Sequence, residues 1–99
     1  MERANVIAKL KAIEPQLRAH GVAALYLFGS HARGEAREGS DVDVFIDKAP
    51  NRHFGLNEFM GAYEVLQETF PELEVGYTMR DGIVSYYRPY IERDAIRIF

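Results

Sequence analysis

An unbroken apolar run, Val22–Phe28 (VAALYLF), is followed by Gly29 and Ser30, ten further residues, and then an alternating segment, Asp41–Asp47 (DVDVFID). Within this run, bounded by glycines, AALYLF (23–28) reads as a strand covered on both sides. The second places Val42, Val44 and Ile46 on one face and Asp41, Asp43, Phe45 and Asp47 on the other, so one face is core while the other gathers carboxylates. A chain of 99 residues has room for one domain, spanning 1–99, with one core and one site.

The flanking segments supply the cover. Val6, Leu10, Ile13 and Leu17 recur at helical spacing up to Gly21, with Pro15 either kinking that helix or starting a second short one. Leu56, Phe59, Tyr63, Leu66 and Phe70 mark another packing helix, stopped by Pro71. LEVGYT (73–78) reads as a third strand, with Leu73, Val75 and Tyr77 inward and Glu74, Gly76 and Thr78 opposite. The segment 82–94 reads as helical with a break at Pro89, and AIRIF (95–99) as a short last strand. Helices alternating with strands imply a small α/β fold, a mixed sheet of three to four strands packed with helices.

Composition narrows the function. There is no cysteine, so neither disulfides nor thiolate metal sites arise, which suits a cytoplasmic protein. The longest apolar run is far too short to cross a bilayer, so no membrane partner is expected. The net charge of −3 argues against tracking along nucleic acid, which draws its affinity from clustered cations. A small ligand or a protein partner is expected instead. Nine of the twelve basic residues are Arg, whose planar fork suits phosphate.

The spacing between the two runs carries chemistry. Gly29 lacks a Cβ and lets a ligand approach the backbone, and Ser30 opens a helical turn whose free N–H groups suit a phosphate. Asp41 and Asp43, two apart on a strand, project to one side about 6.6 Å from each other and can place oxygens around one or two divalent ions. Mg²⁺ takes such a site, with water and substrate phosphate oxygens completing its octahedron. A triphosphate-binding turn beside a carboxylate pair is the constellation of phosphoryl or nucleotidyl transfer. Gly-Ser alone would read as a helix cap and D-x-D alone as a solvated strand face. The joint pattern G-S-x10-D-x-D, in strand context at both ends, is far more specific.

The segment LFGSHARGEAREGSDVDVFI (27–46) resembles the signature of the minimal nucleotidyltransferases, the MNT family of the DNA polymerase beta superfamily. RAHGVAALYLFGS before it and RPYIERDAIRIF at the C-terminus extend the resemblance over nearly the whole chain. The resemblance implies metal-dependent transfer of NMP from an NTP, commonly AMP from ATP with Mg²⁺, and an antitoxin paired with a HEPN-type toxin. It assigns Gly29, Ser30 and Arg33 to the nucleotide and Asp41 and Asp43 to catalysis and metal binding. His31 falls at a variable position and receives no role.

One departure stands out. Where the family carries a third carboxylate in the next strand, this chain has Gly76. Glu74, on the same face two residues earlier, is the candidate substitute, and Asp47 a weaker one. His20, His31 and His53 fit no metal-ligand spacing and are expected at the surface or in loops. Tyr86, Tyr87 and Tyr90 are expected in the core, and Arg80, Arg88 and Arg93 either line a groove or solvate a helix. A chain with only a catalytic core leaves acceptor binding to a second polypeptide, with a HEPN-type toxin as the expected partner; a homo-oligomer is left open. Two classes of function follow: an enzyme adenylylating a protein hydroxyl, or a degenerate antitoxin that acts by binding alone.

Overall fold

The computed structural model describes residues 1–99. The opening stripe forms two helices, α1 (Arg3–Ala12) and α2 (Glu14–Ala19), burying Val6 and Leu10 on the first and Leu17 on the second. Pro15 lies in the first turn of α2, where its missing N–H is not needed, so it starts a helix instead of kinking one. Then follow β1 (Val22–Phe28), α3 (Gly29–Arg33), β2 (Val42–Lys48), α4 (Leu56–Thr69), β3 (Val75–Met79), a 3₁₀ turn (Arg80–Gly82), α5 (Arg88–Asp94) and β4 (Ile96–Arg97).

The four strands make one mixed sheet in the order β3-β2-β1-β4. β1 runs antiparallel to β2 and β4, whereas β2 and β3 are parallel, with α4 as the crossover that parallel strands require. Leu25, Leu27, Val42, Val44 and Ile46 meet Val6, Leu10, Leu17, Ala62, Leu66 and Phe70 of the helical layer in one buried cluster. Most of the predicted α4 stripe joins this layer. Leu56, expected inward, stands 75% exposed, because it is the first residue of α4.

Beyond the helical layer, α5 also contacts β1. On the face away from α1, α2 and α4, Tyr26 stacks on Phe45 with ring centroids 4.7 Å apart, and the Arg80 guanidinium lies over both rings at 4.8 and 4.9 Å. Arg80 also holds Asp47 through two hydrogen bonds of 2.8 and 2.9 Å and donates to Glu92 of α5 at 2.7 Å. A paired cation thus closes this face, and Phe45 is fully buried beneath it. The assignment of Arg80 to a groove or a solvated helix is corrected by this pairing.

The tail departs most from expectation. Pro89 sits in the first turn of α5 and begins it, so the helix is shorter than 82–94 and unbroken. Tyr86, Tyr87 and Tyr90 are exposed by 73, 58 and 54%, not core. α5 is anchored by polar bonds, Arg80 to Glu92 and Arg88 to the Ile83 carbonyl, and Tyr90 on it and Tyr86 and Tyr87 just before it are left facing out.

Candidate active site

Antiparallel pairing explains why residues so far apart in sequence share a site. The C-terminal end of β1 lies beside the N-terminal end of β2, with Phe28 opposite Asp43. Gly29 and Ser30 therefore turn away from the sheet next to Asp43, and the residues between loop out. Gly29 has φ +73°, a left-handed conformation that glycine adopts without strain, and any Cβ there would collide with Oδ2 of Asp43.

On the other flank Gly76 of β3 is in register with Asp43, and a Cβ at Gly76 would collide with Oδ1. Each carboxylate oxygen of Asp43 thus occupies space left free by a glycine. The side chain is half-buried, and burial pushes its pKa above the ordinary carboxylate range; the neighbouring Asp41 raises it further, while His31 and Arg33 act in the opposite sense. Asp41 is exposed, one residue before β2.

The remaining expected residues fall around this pair unequally. Ser30 is partly buried in α3. Arg33 ends α3, exposed, with its Nε donating to Glu35 at 2.7 Å and with Asp43 and Asp94 within electrostatic range. Glu74 is exposed just before β3, where its carbonyl accepts a 2.9 Å hydrogen bond from the Val42 N–H. It does not form a group of three with Asp41 and Asp43. Asp47 points its carboxylate at Arg80 and is committed there.

His31 corrects the expectation of a surface histidine: it is 1% exposed and is the only polar or charged side chain among the buried residues. A helix of five residues offers too few positions for a buried face to show as periodicity, so only the structure reveals it.

Two acidic groups held close, one desolvated and raised by the other, make an arrangement that a divalent cation relieves. The donor set fits Mg²⁺, which takes one or two carboxylates and leaves its other positions to water and phosphate oxygens. The largest cleft, about 780 Å³, lies elsewhere, lined by Arg3, Asn5, His31, Arg37 and neighbours but by none of Ser30, Asp41 and Asp43. The carboxylate pair stands on an open surface.

A profile of the nucleotidyltransferase domain matches residues 7–97. The chain belongs to the nucleotidyltransferase family. It is 46% identical, over 90% of its length and 95% of the other's, to a protein adenylyltransferase, MntA, of Thermococcus cleftensis. It is 32% identical, over 78% of its length and 77% of the other's, to a candidate protein adenylyltransferase of Methanocaldococcus jannaschii. The structure of a candidate minimal nucleotidyltransferase superposes with a TM-score of 0.79 at 28% identity, covering 97% of this chain and 95% of that one. A toxin-antitoxin structure containing AMP-PNP shares the fold, with a TM-score of 0.68 at 16% identity over 92% of this chain and 72% of that one. The α/β nucleotidyltransferase fold expected from the sequence is thereby established. No helix is long and apolar enough to cross a membrane.

Proposed function

We propose that this nucleotidyltransferase moves AMP from ATP to a hydroxyl of a protein partner, a HEPN-type toxin for which it serves as antitoxin. The observation that carries the reading is the convergence of the Gly29–Ser30 turn with Asp41 and Asp43 at adjacent ends of β1 and β2. In this reading Gly29 and Ser30 present backbone N–H groups to the triphosphate, and Arg33 exchanges Glu35 for a phosphate oxygen. Asp41 and Asp43 would hold Mg²⁺, which when bound would supply positive charge against the phosphate oxygens. The acceptor oxygen attacks the α-phosphorus, the bond to the bridging oxygen of the β-phosphate breaks, and pyrophosphate leaves. In this reading Glu74, which does not group with Asp41 and Asp43, is assigned to take the hydroxyl proton, a role worth about 10² to 10⁴ in rate.

Two observations support a protein acceptor. The site lies outside every enclosed cleft of this chain, so burial of the substrate falls to a second polypeptide. The relatives named protein adenylyltransferases match over most of their length.

A second reading rests on Gly76: with no third carboxylate beside Asp43, the chain keeps the fold and neutralises its partner by binding alone. The test uses ATP labelled at the α-phosphate, Mg²⁺ and native lysate, with the natural chain, Asp43→Asn and Gly76→Asp compared. Label transferred to protein by the natural chain and lost in Asp43→Asn establishes the enzyme. Label appearing only with Gly76→Asp establishes the binding module.

A further inference from the structure

Asp41 stands outside β2 with no hydrogen bond of its own side chain, yet the backbone on either side of it is fixed. After it, the Val42 N–H donates to the Glu74 carbonyl at 2.9 Å. Before it, Ser40 closes a turn with Arg37: its N–H donates to the Arg37 carbonyl at 3.0 Å and its Oγ accepts from the Arg37 N–H at 2.8 Å. The Ser40 carbonyl lies 3.4 Å from Nε2 of His31, the long end of hydrogen-bond range.

A carbonyl can only accept, so Nε2 is the donor in this contact, while Nδ1 is buried without a protein partner. Burying an imidazole with one nitrogen unsatisfied costs stability, and an apolar side chain of similar size would avoid that cost. What the histidine supplies instead is a connection. Its backbone belongs to α3, next to Ser30, and its ring reaches the residue preceding Asp41, spanning the two ends of the G-S-x10-D-x-D spacing.

We propose that His31 is a positioning residue: it fixes the Asp41 backbone relative to the Ser30 turn, so that cation and triphosphate are held at one set distance. The inference rests on the reading of this site as binding Mg²⁺ and ATP. Groups that orient a metal ligand from behind typically change metal affinity by about 10- to 100-fold when removed.

Binding of Mn²⁺ and of the Mg²⁺ complex of a non-hydrolysable ATP analogue, followed by calorimetry, tests this without any turnover. The variants are His31→Leu, which fills the space without a donor, and His31→Gln, whose amide nitrogen can replace Nε2. His31→Leu is expected to melt no lower than the natural chain yet bind both ligands at least about tenfold more weakly, with His31→Gln restoring most of the loss. Equal binding by the Leu variant overturns the positioning role and leaves the site reading intact. Absence of binding by the natural chain itself overturns both. A loss in the Leu variant accompanied by a fall in melting temperature, and not recovered by Gln, shows a purely structural histidine and overturns the proposal.

Discussion

Gly76 and Asp43 are register partners across the parallel β2–β3 pair, and a side chain at Gly76 would have to displace the Asp43 carboxylate. The glycine is therefore more than a missing acid: it defines where Asp43 points. Gly76→Asp places like charges side by side, which costs about 0.2 to 1 kcal/mol across a strand pair. Without metal, this variant is expected to melt below the natural chain at pH 7. The deficit should shrink at pH 5, closer to the carboxylate range, because protonation relieves the like charge, and Mg²⁺ should raise its melting point more than it raises the natural chain's. Melting curves with and without Mg²⁺ at both pH values decide it; a deficit indifferent to both would show that the two carboxylates never meet.

Asp43→Asn separates site chemistry from stability. Because the folded-state pKa of Asp43 lies above its unfolded value, the ionised form opposes folding at neutral pH. Its contribution is most favourable below the unfolded pKa and is lost as pH rises through the folded one. The Asn variant should melt at or above the natural chain at pH 7, with the difference closing as the pH falls toward the carboxylate range. It should also lose Mg²⁺-dependent stabilisation. A variant that melts clearly lower at pH 7 would contradict the desolvated placement of Asp43.

Gly29→Ala forces an L-residue to φ +73° and drives a Cβ into Asp43. The backbone strain alone costs roughly 1 to 2 kcal/mol. Urea unfolding should show a loss of that size or larger, and Gly29→Ala with Asp43→Gly should recover part of it, since the collision is then gone.

Arg80 joins Asp47, Glu92 and two aromatic faces, so removing it leaves two carboxylates unpaired and Phe45 uncovered. Arg80→Ala is expected to destabilise by about 1 to 3 kcal/mol. Lysine should rescue little, because it cannot make the planar two-bond contact. A double-mutant cycle with Asp47→Ala reads the coupling directly, and additivity of the two changes would show that the pair contributes nothing.

Replacing Tyr86, Tyr87 and Tyr90 singly with Ser should leave stability within about 0.5 kcal/mol of the natural chain, since all three are exposed. A larger loss in chemical denaturation would return these residues to the core.

What the sequence made readable was local. The two-residue period of DVDVFID gave the correct faces, and Val42, Val44 and Ile46 are fully buried. The Gly-Ser to D-x-D spacing anticipated a turn and a strand end, and the antiparallel β1–β2 pair brings them together. Gly76 was visible only as an absent acid, because its alignment with Asp43 depends on α4 delivering β3 in one particular register. The roof over Phe45 joins Asp47, Arg80 and Glu92 from three separate elements, and no local pattern encodes such a meeting. The tyrosines show the reverse error: helical spacing of aromatics indicates a stripe but not which surface, if any, it faces.

The parallel pairing of β2 and β3 also sets an order of assembly. Phe28 and Asp43 come together early, across a short loop within a contiguous piece of chain, whereas Asp43 and Gly76 meet only after α4 has formed and docked. Closing the longer loop costs more chain entropy and comes later in folding. A chain that has paired β1 with β2 but not yet docked β3 lacks the glycine side of the slot that aims Asp43. The slot that aims Asp43 is thus a product of the crossover, present only once α4 has brought β3 into register with β2.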